Sequence, residues 1–505
     1  MKKLFVLGIG MLCSFINAQN INDVVRYSSE NLQGTARFQA LSGAFGALGG
    51  DLSAISINPA GAAVFSLNEF TITGTNYNRD NDAFFGNNLR NTDENFADIN
   101  QAGGVFVFKA SDENSPWRKI SVAANYDIVN NFDNQFFATG NTNQGIDTYF
   151  LNFAQGQTLG NLRVQTDAGE RIDDAYLNIG SSLGFGAQQA FLGFQSGIID
   201  PTEDLDENTS YFSNAQYSTL NQSYSQFTNG FNSKFNLSLA GQYQNNLYLG
   251  ASLNFHNIFY EKSTSIIESG FDADSEIQFT SFDNFLQTDG NGFSFTLGAI
   301  AKLNENIRVG GSYQSPTWYR LTDNISQRIS TDSPVANLDL SLIDFNLVSI
   351  FDRYTIQTPS KITGSAAIIF SKFGLISFDY GFQDFSEAEL RPTNDLSFAS
   401  ENQLISQELG NVNTYRIGGE YRINQVSLRA GYRFEESPYL DDTIIGDLEG
   451  FSGGIGYSFG PNRLDLAYSR TEQDTSELFF DSGISNAATV ERINTNISLG
   501  YTLKF

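Results

Sequence analysis

The sequence predicts an all-β fold: a transmembrane antiparallel β-barrel of about fourteen strands, with an N-terminal hatch in the lumen and long extracellular loops containing short helices. Three observations predict it. Aromatic rings make up 14% of the 505 residues, with 45 Phe and 22 Tyr, yet the mean hydropathy is −0.25. Strands whose positions alternate between lipid and water reconcile the two, because rings cover one face while the other stays polar. Short polar turns also alternate along the chain with long polar stretches, the asymmetry of a barrel with one short-looped end. Finally, beyond the N-terminus no stretch approaches 18 consecutive apolar residues, so no helix is expected to span a membrane.

Residues 1–18 read as a secretory signal peptide. Lys2-Lys3 form the charged region, Leu4 to Ile16 the apolar one, and Asn17-Ala18 precede a cut before Gln19. A lipoprotein signal wants a small residue before its cysteine; Leu12 is bulky, so Cys13 is expected to leave with the signal. The remaining chain then has no disulfide framework and no thiolate metal site. The net charge of −27 argues against nucleic acid, whose phosphates need Lys and Arg, and suits acidic outer loops.

Residues 19–66 precede the first expected strand. Their Gly- and Ala-rich run, Leu41 to Phe65, suits a plug packed against a wall too wide for its own side chains to fill. Residues 67–505 are expected to form the wall, with strands starting near 67, 101, 117, 231, 246, 292, 306, 353, 372, 410, 425, 449, 462 and 490. The C-terminal segment is the clearest. Ile493, Thr495, Ile497, Leu499, Tyr501, Leu503 and Phe505 share one face, opposite Asn494, Asn496, Ser498, Gly500, Thr502 and Lys504. Short turns are expected at 111–116, 244–246, 304–306, 371–373, 424–425 and 461–463, and long loops at 80–100, 133–230, 263–290, 324–352, 388–410, 437–448 and 474–490. The 133–230 insertion carries Leu183, Phe185, Phe191 and Phe194, which predict short helices forming a lid or an apolar capture surface.

Residues 34–63, GTARFQALSGAFGALGGDLSAISINPAGAA, resemble the N-terminal hatch of the FadL/OmpP1/TodX family of outer-membrane transporters. The likeness rests on Arg37, small residues around Ser42-Gly43, Asp51, and Asn58-Pro59-Ala60 ahead of the first strand. Strand number, barrel length and the final Tyr501 and Phe505, similar to a barrel-assembly signal, extend it over nearly the whole chain. The resemblance implies fourteen strands in the outer membrane of a Gram-negative cell. It further implies a plugged lumen and passage of long-chain fatty acids or other small hydrophobic molecules. It also implies a lateral exit at a kinked third strand. Asn125-Tyr126-Asp127 is similar to that family's Asn-Tyr-Gly at the kink, with Asp127 in place of the flexible glycine. Partners implied are outer-membrane lipids and the barrel-assembly machinery. Some relatives instead serve as subunits or shuttles of larger outer-membrane assemblies such as the type IX secretion machinery.

Inward cations are the candidates for a carboxylate head group. With a turn at 424–425, Arg416 and Arg433 fall opposite each other and Glu420 faces Arg429. Two facing arginines repel unless an anion lies between them. Arg416, Arg433 and Arg429 therefore either hold a substrate carboxylate or belong to a salt-bridge ladder with Glu420, Glu435 and Asp465. No catalytic residue, cofactor or transition metal is expected: His256 is the only histidine for a Ser–His pair. Asp272-Ala273-Asp274 and Asp441-Asp442 are either Ca²⁺ ligands or solvated loop carboxylates.

Overall fold

The structure, a computed structural model, describes residues 19–505 apart from 113, 167–168, 338–339, 341–342, 344–346 and 481. The expected signal peptide and Cys13 lie outside the described residues.

Four short helical segments come first: α1 (Ile21–Ser28), α2 (Ala36–Gln39), α3 (Ala54–Ile57) and a 3₁₀ turn at Pro59–Val64. The wall follows as fourteen antiparallel strands, several in pieces. They are β1 (Glu69–Phe85), β2 (Asn88–Lys109), β3 (Trp117–Asn131, then Asn134–Thr142), β4 (Leu220–Tyr243), β5 (Leu247–Ser269) and β6 (Phe279–Lys302). Next come β7 (Ile307–Gln314, then Trp318–Thr331), β8 (Ser349–Ile350, Tyr354–Gln357 and Lys361–Phe370) and β9 (Gly374–Asp384, then Glu389–Arg391). The last five are β10 (Asn411–Ile423), β11 (Val426–Glu435), β12 (Leu448–Phe459), β13 (Asn462–Leu478) and β14 (Ala487–Lys504). The barrel closes where β1 pairs with β14, from Glu69↔Lys504 to Phe84↔Thr489. With no free edge, the backbone is satisfied inside a membrane. Among the described residues no helix is long and apolar enough to cross one.

Alternation drives the wall. On β4 and β5 the rings and leucines Phe235, Leu237, Leu239, Leu249, Leu253 and Phe255 are exposed, while Asn236, Ser238, Ser252 and Asn254 are buried facing the lumen. The short turns close at Tyr243↔Leu247, Phe370↔Gly374 and Ile423↔Val426, where Gln244, Ser371 and Asn424 take positive φ. The expected 461–463 turn is shifted: it is Gly460-Pro461, with Gly460 at φ +65°, and Arg463 already belongs to β13.

The long-loop end differs more from expectation. The stretches 80–100 and 263–290 are largely strand, β1 and β2 turning at 86–87 and β5 reaching Ser269, and 474–490 is strand at both its ends. Above the apolar band both faces meet water, so the alternating signal fades while pairing still satisfies the backbone. The 133–230 insertion opens with the upper part of β3. It then folds as α4 (Ile146–Ala154), α5 (Leu159–Leu162), α6 (Ile172–Leu183) and α7 (Phe185–Gln195), a lid whose buried core, with Phe150, Phe191 and Leu192, is shared with wall residues such as Phe85, Phe136 and Phe282.

Residues 20–65 fill the lumen below, and their close fit depends on small residues on the wall as much as on the hatch. A Cβ at Gly250 would lie 2.4 Å from the backbone of Pro59, and one at Gly431 2.5 Å from that of Leu41.

Candidate functional site: a plugged lumen

Each hatch residue singled out in the sequence has a structural task. Arg37 donates Nε to Glu420 at 3.1 Å and Nη1 to the Gly50 carbonyl, with its guanidinium over the Phe45 ring. Asp51 accepts from the Thr35 hydroxyl at 2.7 Å and from the Ser53 N–H, fixing the turn into α3. Gly43 takes φ +77°, a conformation other residues adopt at a cost. Asn58 caps the 3₁₀ turn, its Oδ1 accepting from the Ala60 N–H. Its Nδ2 donates to the carbonyls of Gly46 and Ala299, tying hatch to β6. Pro59 fits the first position, where its missing N–H costs nothing.

A buried ion network fixes the hatch to β10–β13. Glu420 accepts from Arg429 and Arg422 at 2.6 Å, in addition to Arg37, and Asp465 accepts from Arg429 and Arg463 at 2.7 and 2.6 Å. Arg429 is thus fully committed to protein carboxylates. Asp379, which sequence reasoning missed, accepts the N–H groups of Phe45 and Gly46, each at 2.9 Å.

The third strand has a second tie. The β2–β3 ladder ends at Gln101↔Asp127, and the β3–β4 register is irregular between Ile128 and Asn130. There the Asp127 carboxylate accepts from the hydroxyls of Ser53 and Ser56, both at 3.1 Å, and from Asn125 Nδ2 at 2.6 Å. Tyr126 beside it is half-buried. Alternation places Ile128 toward lipid; instead Ile128 and Val129 both line an interior cavity, because the irregularity breaks the alternation.

That cavity, roughly 60 Å³, lies between hatch and wall. Leu32, Phe38, Ile57 and Ile128 give it an apolar side, and Lys234 and Arg416 line it together with the carboxylates of Glu30 and Asp127. Arg416 and Arg433 stand opposite on β10 and β11. Arg433 donates to Glu435 at 2.6 Å and to the Glu30 carbonyl at 3.0 Å. The buried Nε atoms of both Arg416 and Arg433 have no hydrogen-bond partner. Burial would raise the Glu30 carboxyl, but Lys361 (3.5 Å away), Lys234, His256 and Arg416 hold it well below the usual carboxylate range. His256, opposite Lys234, faces the Tyr319 hydroxyl and Asn232 through Nδ1.

Two larger cavities continue toward the lid. A chamber of roughly 250 Å³ shares Asn31 with the first and is lined by Arg26, Arg79, Lys262, Arg492 and Glu477. A pocket of roughly 150 Å³ shares Lys262 with that chamber and lies among Tyr149, Phe153, Phe185, Phe479 and Phe480. Of the lid candidates, Phe185 lines this pocket, Phe194 packs against the lid core that buries Phe191, and Leu183 is exposed. The chamber's cations escaped sequence reading because they lie far apart in the chain; inward position on separate strands was their only signal. Among the described residues no group of three or more His, Cys, Asp or Glu could hold a metal ion, and Asp441 accepts instead from Thr443. At the other end Phe505 packs edge-on to Phe106, and Tyr501 is exposed on the outer face.

The fold matches solved transport channels. A FadL homologue from Pseudomonas aeruginosa aligns with a TM-score of 0.55 at 12% identity, covering 94% of this chain and 99% of that one. The Pseudomonas putida toluene transporter TodX aligns with a TM-score of 0.49 at 13% identity, and the monoaromatic hydrocarbon channel CymD with the same values; both cover 94% and 99% of the respective chains. No curated protein matches by sequence. The profile of the outer membrane protein transport protein family (OMPP1/FadL/TodX) matches residues 18–502, and the chain belongs to that family.

Proposed function

We propose that this protein is a passive outer-membrane channel for small hydrophobic molecules carrying a carboxylate, long-chain fatty acids foremost. The observation that supports it most is the hatch cavity, where an apolar side faces Lys234 and Arg416, and the buried Arg416 Nε is unpartnered. A tail held by Phe38, Ile57 and Ile128 leaves its carboxylate within reach of two cations, and charge-assisted hydrogen bonds are the stronger kind. The aromatic pocket beneath the lid, with Phe185, is the entrance, the basic chamber the passage, and Arg416 the inner head-group station. The exit is sideways beside Asn125, Tyr126 and Asp127, once the hatch leaves the Asp127 carboxylate.

The test is uptake into cells expressing the protein, comparing a long-chain acid with toluene and with the alcohol of the same chain length. Acid uptake lost in Arg416→Gln, with uptake of the alcohol retained, supports the reading. Toluene uptake without acid uptake overturns the substrate class. Unchanged acid uptake after deletion of residues 19–60 overturns the role of the hatch as a gate.

A further inference from the structure

The outer wall carries a polar groove that transport through the lumen does not use. It measures roughly 660 Å³ and spans four neighbouring strands, with Asn257 on β5, Asp289 and Asn291 on β6, Arg320 on β7, and Arg353 from the segment before Tyr354. The register stacks these groups: Asn257 pairs with Asn291, Arg320 with Asn291, and Phe259 with Asp289. All face outward, because the alternate residues Tyr319 and Leu321 on β7 and Tyr260 on β5 are buried in the lumen.

Its height on the barrel identifies its surroundings. Asn257 lies ten residues along β5 from Leu247, which borders a short turn. At about 3.4 Å per residue and about 40° of tilt that is about 26 Å of wall, the height of the apolar band of an outer-membrane barrel. Directly below, Leu249, Leu253, Phe255, Phe293 and Leu297 are exposed, as lipid-facing residues must be. The groove therefore opens at the level of the outer-leaflet head groups. Its chemistry is mixed. Neither the guanidinium of Arg320 nor that of Arg353, both residues being exposed, forms a hydrogen bond or ion pair with a described residue. Asp289 is held by Gln287 at 2.7 Å, and Asn257 donates to Asn291 at 3.3 Å. Exposed Asp352 adjoins Arg353.

We propose that this groove binds a phosphorylated glycolipid of the outer leaflet. Arg320 and Arg353 hold a phosphate, which the planar guanidinium fork matches. Asn257, Asn291 and Asp289 accept sugar hydroxyls, and Phe259 with the exposed leucines below receives acyl chains. A phospholipid offers these amides and the carboxylate at most the two hydroxyls of a glycerol head group, fewer than a sugar-bearing lipid, so the latter is favoured. The site is independent of what the lumen carries.

The experiment is native mass spectrometry of the full chain in detergent, titrated with bisphosphorylated lipid A, with phosphatidylglycerol, or with inorganic phosphate. A single lipid A is expected to remain bound at concentrations where phosphatidylglycerol and phosphate do not. The double variant R320Q/R353Q is expected to lower lipid A affinity about tenfold or more, the loss of paired charge-assisted bonds. Heat-modifiable gel migration reports whether that variant folds. Should it not, R353Q alone, in a connecting segment, is expected to shift affinity in the same direction. Equal occupancy in the wild type and the folded variant overturns the proposal. So does phosphatidylglycerol binding as tightly as lipid A, or inorganic phosphate displacing it.

Discussion

Arg416 and Arg433 face each other across the β10–β11 ladder, yet their charges are met unequally. Arg433 Nη2 is tied to Glu435 and the Glu30 carbonyl, whereas among the described residues no carboxylate is hydrogen-bonded to Arg416; the buried Nε of each arginine has no partner. Arg416→Gln is therefore expected to weaken binding of a long-chain acid roughly tenfold or more while sparing the matched alcohol. Arg433→Gln is expected chiefly to destabilise the barrel by removing the ion-pair partner bonded to Glu435 and the bond to the Glu30 carbonyl. Displacement of a fluorescent fatty acid, beside thermal unfolding, separates the two effects.

Glu420 is shared by Arg37, Arg422 and Arg429, all in or beside the plugged lumen. Removing one member of a buried pair strands the others, at a cost of roughly 3–5 kcal/mol. Glu420→Gln is expected to lower the temperature of the heat-modifiability transition and to expose the 37–50 segment to protease. A variant as resistant as wild type would show that the network does not hold the hatch.

The hydroxyls of Ser53 and Ser56 both end on Asp127. Asp127→Ala removes the acceptor of both hydroxyls, although Ser53 Oγ still accepts from the Thr35 N–H, at a cost of roughly 1–3 kcal/mol for a buried donor left without a partner. Faster amide exchange confined to residues 53–57, with the wall unchanged, is the expected result. The Ser53→Ala/Ser56→Ala double variant should reproduce it if the tie is local.

Glu30 has a carboxyl depressed in the folded protein from its ordinary value of 4.5, with burial outweighed by Lys361, Lys234, His256 and Arg416. A depressed carboxyl contributes stability that is fully present above its unfolded value and lost as pH falls through its folded one. Hatch protection against exchange, corrected for intrinsic rates, is thus expected to decline below about pH 4.5. Glu30→Gln removes this dependence while lowering protection at neutral pH. A variant with the wild-type pH profile would assign the acid sensitivity elsewhere.

Phe191 is fully buried in the lid core. Phe191→Ala removes a ring from a packed interior, worth roughly 3–5 kcal/mol. Limited proteolysis is expected to cut the lid between 146 and 199 while the wall stays intact, because the barrel is closed by its own strand pairing.

The sequence by itself determined the barrel. Alternation at 493–505 and 426–434 names the lipid face of each strand, and a turn at Asn424-Gln425 leaves one register, which sets Arg416 against Arg433 and Glu420 against Arg429. These are local relations, and a one-residue slip would turn every apolar side chain to the wrong face. It could not reveal β1 and β2 running on through 80–100, since above the membrane no apolar face marks a strand. Nor could it show that Asp127 reaches Ser53 and Ser56, that Asp379 holds Phe45 and Gly46, or that Arg416 shares a cavity with Lys234. Those partners lie tens to hundreds of residues apart, and only the closed wall, by fixing which inward positions surround the hatch, decides which charges meet which partners.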